Sequence, residues 1–368
     1  MATGNLKIVH FLPSDKDSFH KAVIRQVNDY FRINNISPYA NSGMWVKTVV
    51  MLLLYFVPYI IMVTGLAEGR PWLFFGLWFL MAWGMVGIGT SVMHDANHGT
   101  YSPNRNVNAL IGFILEVIGG YTVTWKIQHN VLHHTYTNIA GLDEDIDSIK
   151  LLRFSPRQQR YKVHKYQFIY AWFFYMMMTL FWMTAKDYLQ IVRYKQHDLL
   201  VKYKVSLKQA LVRVTLYKLF YYSYILVLPV IFSGMPWYYV ISGFLFMHFI
   251  AGLVLSSIFQ PAHIIEESTF KLPADGNGKQ MEDTWAIHEV ENTTDFAPDN
   301  RFLTWFIGGL NYQIEHHLFT GICHVHYPKL APIVKKVAGD FHVAYHVEPT
   351  FARALKGHVR MLKKLGRE

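Results

Sequence analysis

Residues 71–98 read PWLFFGLWFLMAWGMVGIGTSVMHDANH. Pro71–Met93 carries no charged side chain, and about 20 predominantly apolar residues suffice to cross a bilayer as a helix. Directly behind this stretch stand His94 and His98, at i and i+4 in His94-Asp95-Ala96-Asn97-His98. On a helix that spacing puts both imidazoles on one face. A membrane span that runs into paired histidines places metal-binding groups at a membrane surface.

Three more stretches qualify as spans: Met44–Leu66, Val214–Phe232 and Trp237–Phe259. Lys47 and Lys218 lie inside two of them and are expected to snorkel toward the interface. Ala67-Glu68-Gly69-Arg70 and Ser233-Gly234-Met235-Pro236 suit tight links, so the spans pair as two hairpins. Tyr166–Leu189 is also apolar and is expected to lie as an interfacial or shallowly embedded helix. A full crossing there would put the basic, His-bearing residues 94–165 and 261–368 on opposite sides. Phe113–Gly120 is too short to cross. Phe19, Val23, Val27, Tyr30 and Phe31 recur at helical spacing and predict a helix docking on the membrane surface. The expected fold is an all-α integral membrane protein. It has four transmembrane helices, interfacial helices and a cytoplasmic helical cap from residues 94–213 and 260–368, in a single domain over 1–368.

Composition agrees. Of 368 residues, 52% are hydrophobic and 16% charged, against roughly 25% charged in ordinary soluble domains. That apolar content excludes a disordered chain, and a lone cysteine, Cys323, excludes a disulfide scaffold. The net charge is +10. The hairpin tips hold only Arg70 among their Lys and Arg, whereas the other connecting segments are rich in both. By the positive-inside rule the basic side is cytoplasmic, so the charge marks orientation and implies no nucleic-acid partner. The first 20 residues lack a continuous apolar core, so no signal peptide is expected.

The chain holds 19 histidines. A second cluster is His129-Asn130-Val131-Leu132-His133-His134 and a third is Gln313-Ile314-Glu315-His316-His317. His263 follows the fourth span. Imidazole suits iron, zinc, copper and nickel. Seven clustered histidines exceed the needs of one ion, which points to two. Catalytic zinc sites use three protein ligands and a water, and no thiolate cluster is present for iron–sulfur chemistry. Asp95 and Glu315 are expected to accept ring N–H groups of the ligands and offset their cationic load. Asn97, Asn130 and Asn311 are candidates for similar work.

The order His-x-x-x-His, His-x-x-x-His-His and Gln-x-x-His-His resembles the membrane-bound fatty acid desaturases, with three histidine boxes and a non-haem di-iron centre. The wording around the boxes is similar too: Trp125-Lys126-Ile127-Gln128-His129, His133-His134-Thr135-Tyr136-Thr137-Asn138 and His316-His317-Leu318-Phe319. The resemblance runs from about residue 20 to residue 355. Gln313 resembles the front-end branch, and the chain looks closest to bacterial, including cyanobacterial, delta-6-type acyl-lipid desaturases. The chain shows no His-Pro-Gly-Gly haem motif of a fused cytochrome b5 domain.

The resemblance implies the following. His94, His98, His129, His133, His134, His316 and His317 ligate two iron ions, His263 is an extra ligand, and Gln313 makes a weak or water-mediated contact. O2 is co-substrate, and an external donor of ferredoxin or cytochrome b5 type supplies two electrons. The substrate is a fatty acyl-CoA or acyl-lipid, and the product gains a cis double bond at carbon 5 or 6. The location is a bacterial inner or thylakoid-type membrane, multi-pass, with the metal on the cytoplasmic side. Glu289 and Asp295 stand where Gln and Asn are expected, and His288 matches no ligand position. A hydroxylase of the same superfamily shares the boxes. A histidine-rich metal transporter is the reading from another class, but transporters hold ligands near the bilayer midplane, and these boxes lie beyond span ends.

Other features take plainer readings. Asp143, Glu144, Asp145 and Asp147 form a solvated or structural acidic loop without EF-hand spacing. Arg153, Arg157 and Arg160 are ordinary cytoplasmic-face charge, ahead of a phosphate site. His248 packs inside a span, ahead of lining a substrate channel, and His324 and His326 serve capping or packing.

Overall fold

A computed structural model describes residues 9–13, 18–146, 150–270 and 280–368. Asp147, Lys7 and Lys16 lie outside the described residues. The chain is mainly helical. Its principal helices are α1 (Ser18–Asn34), α2 (Ser42–Val63), α3 (Pro71–His98), α4 (Arg105–Val117), α5 (Thr122–Tyr136), α6 (Lys162–Gln196), α7 (Leu207–Phe232), α8 (Trp237–His263), α9 (Trp285–Glu291), α10 (Arg301–Phe306), α11 (Gln313–Leu318), α12 (Tyr327–Asp340) and α13 (Phe351–Leu365). Strands β1 (His10–Leu12) and β2 (Gln280–Thr284) pair in parallel, as do β3 (Thr294–Phe296) and β4 (His346–Glu348). These small pairings are an addition to the all-α expectation.

Among the described residues five helices are long and apolar enough to cross a membrane: α2, α3, α6, α7 and α8. A sixth would follow if the bent pair α4 and α5 counted as one span. Each of the four expected spans coincides with one of these helices. Tyr166–Leu189, expected at the interface, lies within the 35-residue helix α6 and meets the same length and apolarity test.

The chain divides into two compact units. One comprises residues 1–40, 127–171 and 257–368; the other comprises 41–126 and 172–256.

In the first unit, α1 buries Phe19, Val23 and Val27 among Leu330, Val334 and Val337 of α12. The apolar stripe expected to rest on a membrane is therefore consumed by protein packing. The 3.6-residue period reports a buried face but not its partner. Arg153 is likewise structural. It is 5% exposed, its Nε donates to Gln158 O at 2.8 Å, and its terminal nitrogens donate to Pro156 O at 2.7 Å and to Leu365 O. Three of its five N–H donors are thus taken by backbone carbonyls. His326 Nε2 donates to Tyr39 O (3.2 Å) and the ring packs edge-on to Phe31, as the packing reading expects.

In the second unit, α2 starts at Asn41, whose side chain accepts from Met44 N, an ordinary helix cap. α2 and α3 approach closely at Gly84, where an added Cβ would lie 2.7 Å from Tyr55 N. α8 meets α6 similarly at Gly252, with the carbonyls of Tyr175 and Met176 at 2.7 and 2.6 Å from such a Cβ. Small residues at such crossings let helices pack in a membrane, where no hydrophobic force joins them. Lys218 does not snorkel. Its Nζ is buried and donates to Asp187 Oδ2 (2.8 Å), Trp182 O (3.0 Å) and Gly119 O (3.1 Å). Lys47 is also buried, at 2% exposure. Both positions were expected to reach water; the tertiary fold encloses them instead. His248 is hydrogen-bonded to Tyr221 Oη (2.8 Å) and Thr179 Oγ1 (3.2 Å), as the packing reading expects.

Candidate metal centre

Three separate segments of the first unit bring imidazoles together. The C-terminal half of α5 supplies His129, His133 and His134. The last residue of α8 is His263, and α11 supplies His316 and His317. All six are buried. Ligand nitrogens of His133, His263 and His317 lie within 4.8 Å of one another, and so do those of His134, His316 and His317. His129 stacks on His316 with ring centroids 5.5 Å apart.

The local helix geometry differs from the sequence expectation. Residues Ile127–His133 form a π-helical stretch, a feature that recurs at functional sites. The wider turn brings i and i+5 together, so His129 Nε2 and His134 Nε2 are 3.2 Å apart. His129 and His133, the i and i+4 pair, stack at 5.5 Å.

Carboxylates stand behind two of the rings. His133 Nδ1 lies 3.1 Å from Asp143 Oδ1 and 3.4 Å from Asp145 Oδ2. Burial pushes His133 down, but the carboxylates of Asp143 and Asp145 override it and hold the imidazole up at about 9. His317 Nδ1 shares a 2.6 Å hydrogen bond with Glu289 Oε2. Burial pushes the Glu289 carboxyl well above the usual carboxylate range, against the pull of the Thr137 hydroxyl. A carboxylate on Nδ1 fixes the tautomer and leaves Nε2 for a metal. Asp143 is fully buried, so the acidic run 143–145 is structural at that position and not solvated. Nothing in the sequence pattern marks Asp143, Asp145 and Glu289 as partners of the histidines. The signals in the sequence are an acidic run near the second cluster and a Glu where Gln is expected.

Gln313 is 1% exposed, and neither its Oε1 nor its Nε2 has a hydrogen-bond partner among the described residues. His263 Nδ1 is in the same position. Buried polar atoms are normally satisfied, so these atoms call for a partner that is not protein. An all-imidazole set with carboxylates on the distal nitrogens suits a divalent transition metal. Two overlapping groups of three suit two ions, and the residues fit the expected centre.

The second unit carries the first histidine pair. His94 and His98 lie in the second unit at the end of α3, with ring centroids 4.6 Å apart, and both rings face Trp125 at 5.7 and 5.6 Å. Gly99, with φ of 81°, closes that helix as a left-handed cap. Asp95 Oδ1 is 3.5 Å from His94 Nδ1. Asn97 instead ties α3 to α4, donating to Gly112 O at 3.3 Å. Glu315 is fully buried and bonds Tyr345 Oη at 3.0 Å, which also donates to Asp295 Oδ2 at 2.7 Å. Among the described hydrogen bonds Glu315 thus engages a tyrosine and not a ring nitrogen. Asn311 donates to Thr304 and Ala297. His288 binds the Thr137 carbonyl at 2.8 Å.

Comparison with known proteins follows the same line. The family description "Fatty acid desaturase" matches residues 70–349. The sn-1 linoleoyl-lipid 6-desaturase of Arthrospira platensis is 36% identical, covering 94% of this chain and 92% of the relative. The sn-1 linoleoyl-lipid 6-desaturase of Synechocystis sp. is 33% identical over 96% of this chain and 97% of its own length. The acyl-lipid (8-3)-desaturase of Physcomitrium patens is 33% identical over 97% of this chain and 74% of its own length.

Proposed function

The chain belongs to the fatty acid desaturase family, and from that premise we propose that it introduces a cis double bond at carbon 5 or 6 of the acyl chain of a membrane lipid. The regiochemistry is supported by the names of its relatives, among them 6-desaturases similar over nearly their full length. The family match draws on residues from both compact units, which supports treating the chain as one functional domain.

The proposed cofactor is a pair of iron ions. Their ligands are His94, His98, His129, His133, His134, His263, His316 and His317, with Gln313 in weak or water-mediated contact. When bound, the irons and O2 supply the oxidising power to remove two hydrogens from adjacent methylenes, chemistry beyond any side-chain acid or base. The reaction consumes O2, two protons and two electrons and releases water, so an external donor of ferredoxin or cytochrome b5 type is required. The residues of the chain hold and orient. Asp143 and Glu289 keep the Nδ1 atoms of His133 and His317 occupied, and burial of the cluster excludes bulk water from it. The observation that carries this reading is the convergence of six buried imidazoles from three distant segments, in overlapping groups, with carboxylates behind two of them.

The proposed topology is multi-pass, with the metal on the cytoplasmic side, where the basic residues gather. A parity argument supports four crossings. His129–His134 and His316–His317 pack in one cluster, so both segments lie on one side of the membrane. Between them run α6, α7 and α8, and three complete crossings would separate them. α6, the helix expected at the interface, is the one assigned to lie shallow.

The test is fatty-acid profiling of a bacterial host expressing the chain together with a compatible electron donor. A new unsaturated acyl chain is expected, and it disappears in His129→Ala and His316→Ala. The bond position, read by mass spectrometry after derivatisation, lies on the carboxyl side of an existing double bond. Only hydroxylated products would refute the desaturase reading, and a bond added on the methyl side would refute the regiochemistry.

A further inference from the structure

Thr137 and Asn138 follow the second histidine cluster and reach every other segment that carries the centre within the first unit. Both are buried, at 0% and 2% exposure. Thr137 Oγ1 lies 2.7 Å from Glu289 Oε2, 2.8 Å from His133 O and 3.2 Å from His317 Nδ1. The Thr137 carbonyl binds His288 Nε2 at 2.8 Å. Asn138 Nδ2 donates to His263 O at 3.0 Å and to Asn292 O at 3.4 Å, while its backbone N–H donates to Asp143 Oδ2 at 2.9 Å. The backbone at Asn138 is left-handed, with φ of 60°, a conformation that Asn tolerates better than most residues. That turn is what lets one dipeptide point a hydroxyl at α9 and α11 and a carboxamide at the end of α8.

We propose that Thr137 and Asn138 are positioning residues for the metal centre, a two-residue clamp that sets His133, His263 and His317 relative to one another. The inference rests on reading the histidine cluster as that centre. The logic is that of a pre-ordered site: ligands far apart in sequence keep a fixed geometry only if something shorter than the intervening chain ties them. Thr137 and Glu289 together orient the His317 ring, with its Nδ1–H toward Glu289 and its Nε2 free for the metal. Asn138 holds the carbonyl of His263 itself, and so fixes where α8 ends and where that imidazole begins. Asp143 closes the loop, taking the Asn138 N–H on one oxygen and the His133 ring on the other.

The experiment uses the full-length protein in detergent, stripped of metal and titrated with ferrous iron. Thr137→Val keeps the shape and removes the hydroxyl, whereas Thr137→Ser retains it. Asn138→Gly keeps the left-handed backbone free of strain and removes the carboxamide; Asn138→Asp keeps the shape and loses the donor. Thr137→Val, Asn138→Gly and Asn138→Asp are expected to bind iron about 10–100-fold more weakly, as when groups that orient metal ligands are lost. Their ferrous ligand-field spectra should shift, with helix content unchanged. Thr137→Ser should match the wild type in both. Wild-type affinity and spectrum in Thr137→Val and Asn138→Gly overturn the clamp. So does equal loss in Thr137→Ser and Thr137→Val, which would make the position one of packing alone. A wild-type chain that takes up no iron overturns the metal reading itself, a different result from unaltered variants of an iron-binding chain.

Discussion

His133 carries two carboxylates on one ring nitrogen, Asp143 at 3.1 Å and Asp145 at 3.4 Å. In the metal-free chain they hold the imidazole charged up to about 9, so at neutral pH a metal must displace a proton to bind Nε2. Metal sites release protons in this way. Iron affinity should therefore fall about tenfold per pH unit below 9, one proton being displaced. Stability runs the other way. A folded-state value raised above the unfolded one adds stability that is complete below about 6.5 and is lost as pH rises through about 9. The metal-free chain should thus melt lower at pH 9 than at pH 6.5, while its iron affinity is higher. Asp143→Asn should flatten both trends and weaken iron binding about 10–100-fold, read by isothermal titration and thermal melts across that range. Trends that survive the substitution unchanged would remove Asp143 from the account. None of this was legible from Asp143-Glu144-Asp145 alone. An acidic run close to a histidine cluster in sequence has no stated distance from it in space.

At the scale of elements, the sequence period served well where the helix is ordinary. It placed the buried face of α1 at Phe19, Val23 and Val27 and each of the four expected spans on a helix, with Met44–Leu66 running three residues past the end of α2. It served less well in α5, where the π-helical turn replaces the i, i+4 neighbour with i, i+5. Periodicity assumes 3.6 residues per turn and carries no signal for an inserted residue. Charges inside spans were the other difficulty. Lys218 of α7 and Asp187 of α6 form a buried pair that also includes Thr124 Oγ1 at 2.7 Å from Asp187. Removing one partner leaves an uncompensated buried charge, so Lys218→Met should destabilise the fold by about 3–5 kcal/mol. The double variant Lys218→Met with Asp187→Leu should recover much of that. Thermal unfolding of the detergent-solubilised protein measures both. A double variant no better than Lys218→Met would show that packing, not charge pairing, sets the cost.

At the scale of the whole molecule the question is which segments share a side of the membrane. The clustering of His129–His134 with His316–His317 supports an even number of crossings between them, and the proposed topology puts α1, packed on α12, on that side as well. Cys323 is buried, so single cysteines can be introduced in a Cys323→Ser background. In sealed vesicles Lys150→Cys and Asn300→Cys should label from the same face, and Glu68→Cys, at an exposed hairpin tip, from the other. Labelling of Lys150→Cys and Asn300→Cys from opposite faces would make α6 a full crossing and end the four-span topology.

The linear chain by itself determined the apolar helices long enough to cross a membrane and six histidines that meet. Apolar length, basic loops and the spacing of His boxes are local properties, written within a few turns of helix. Only the tertiary structure decided what those histidines lean on. Glu289, Asp143, Thr137 and Asn138 gain their meaning from partners up to 180 residues away. It also decided which face of α1 is covered, and that Lys47 and Lys218 are enclosed. Hydrogen bonds and burial at such separations depend on how segments pack, and packing leaves no trace in the spacing of residues along one segment.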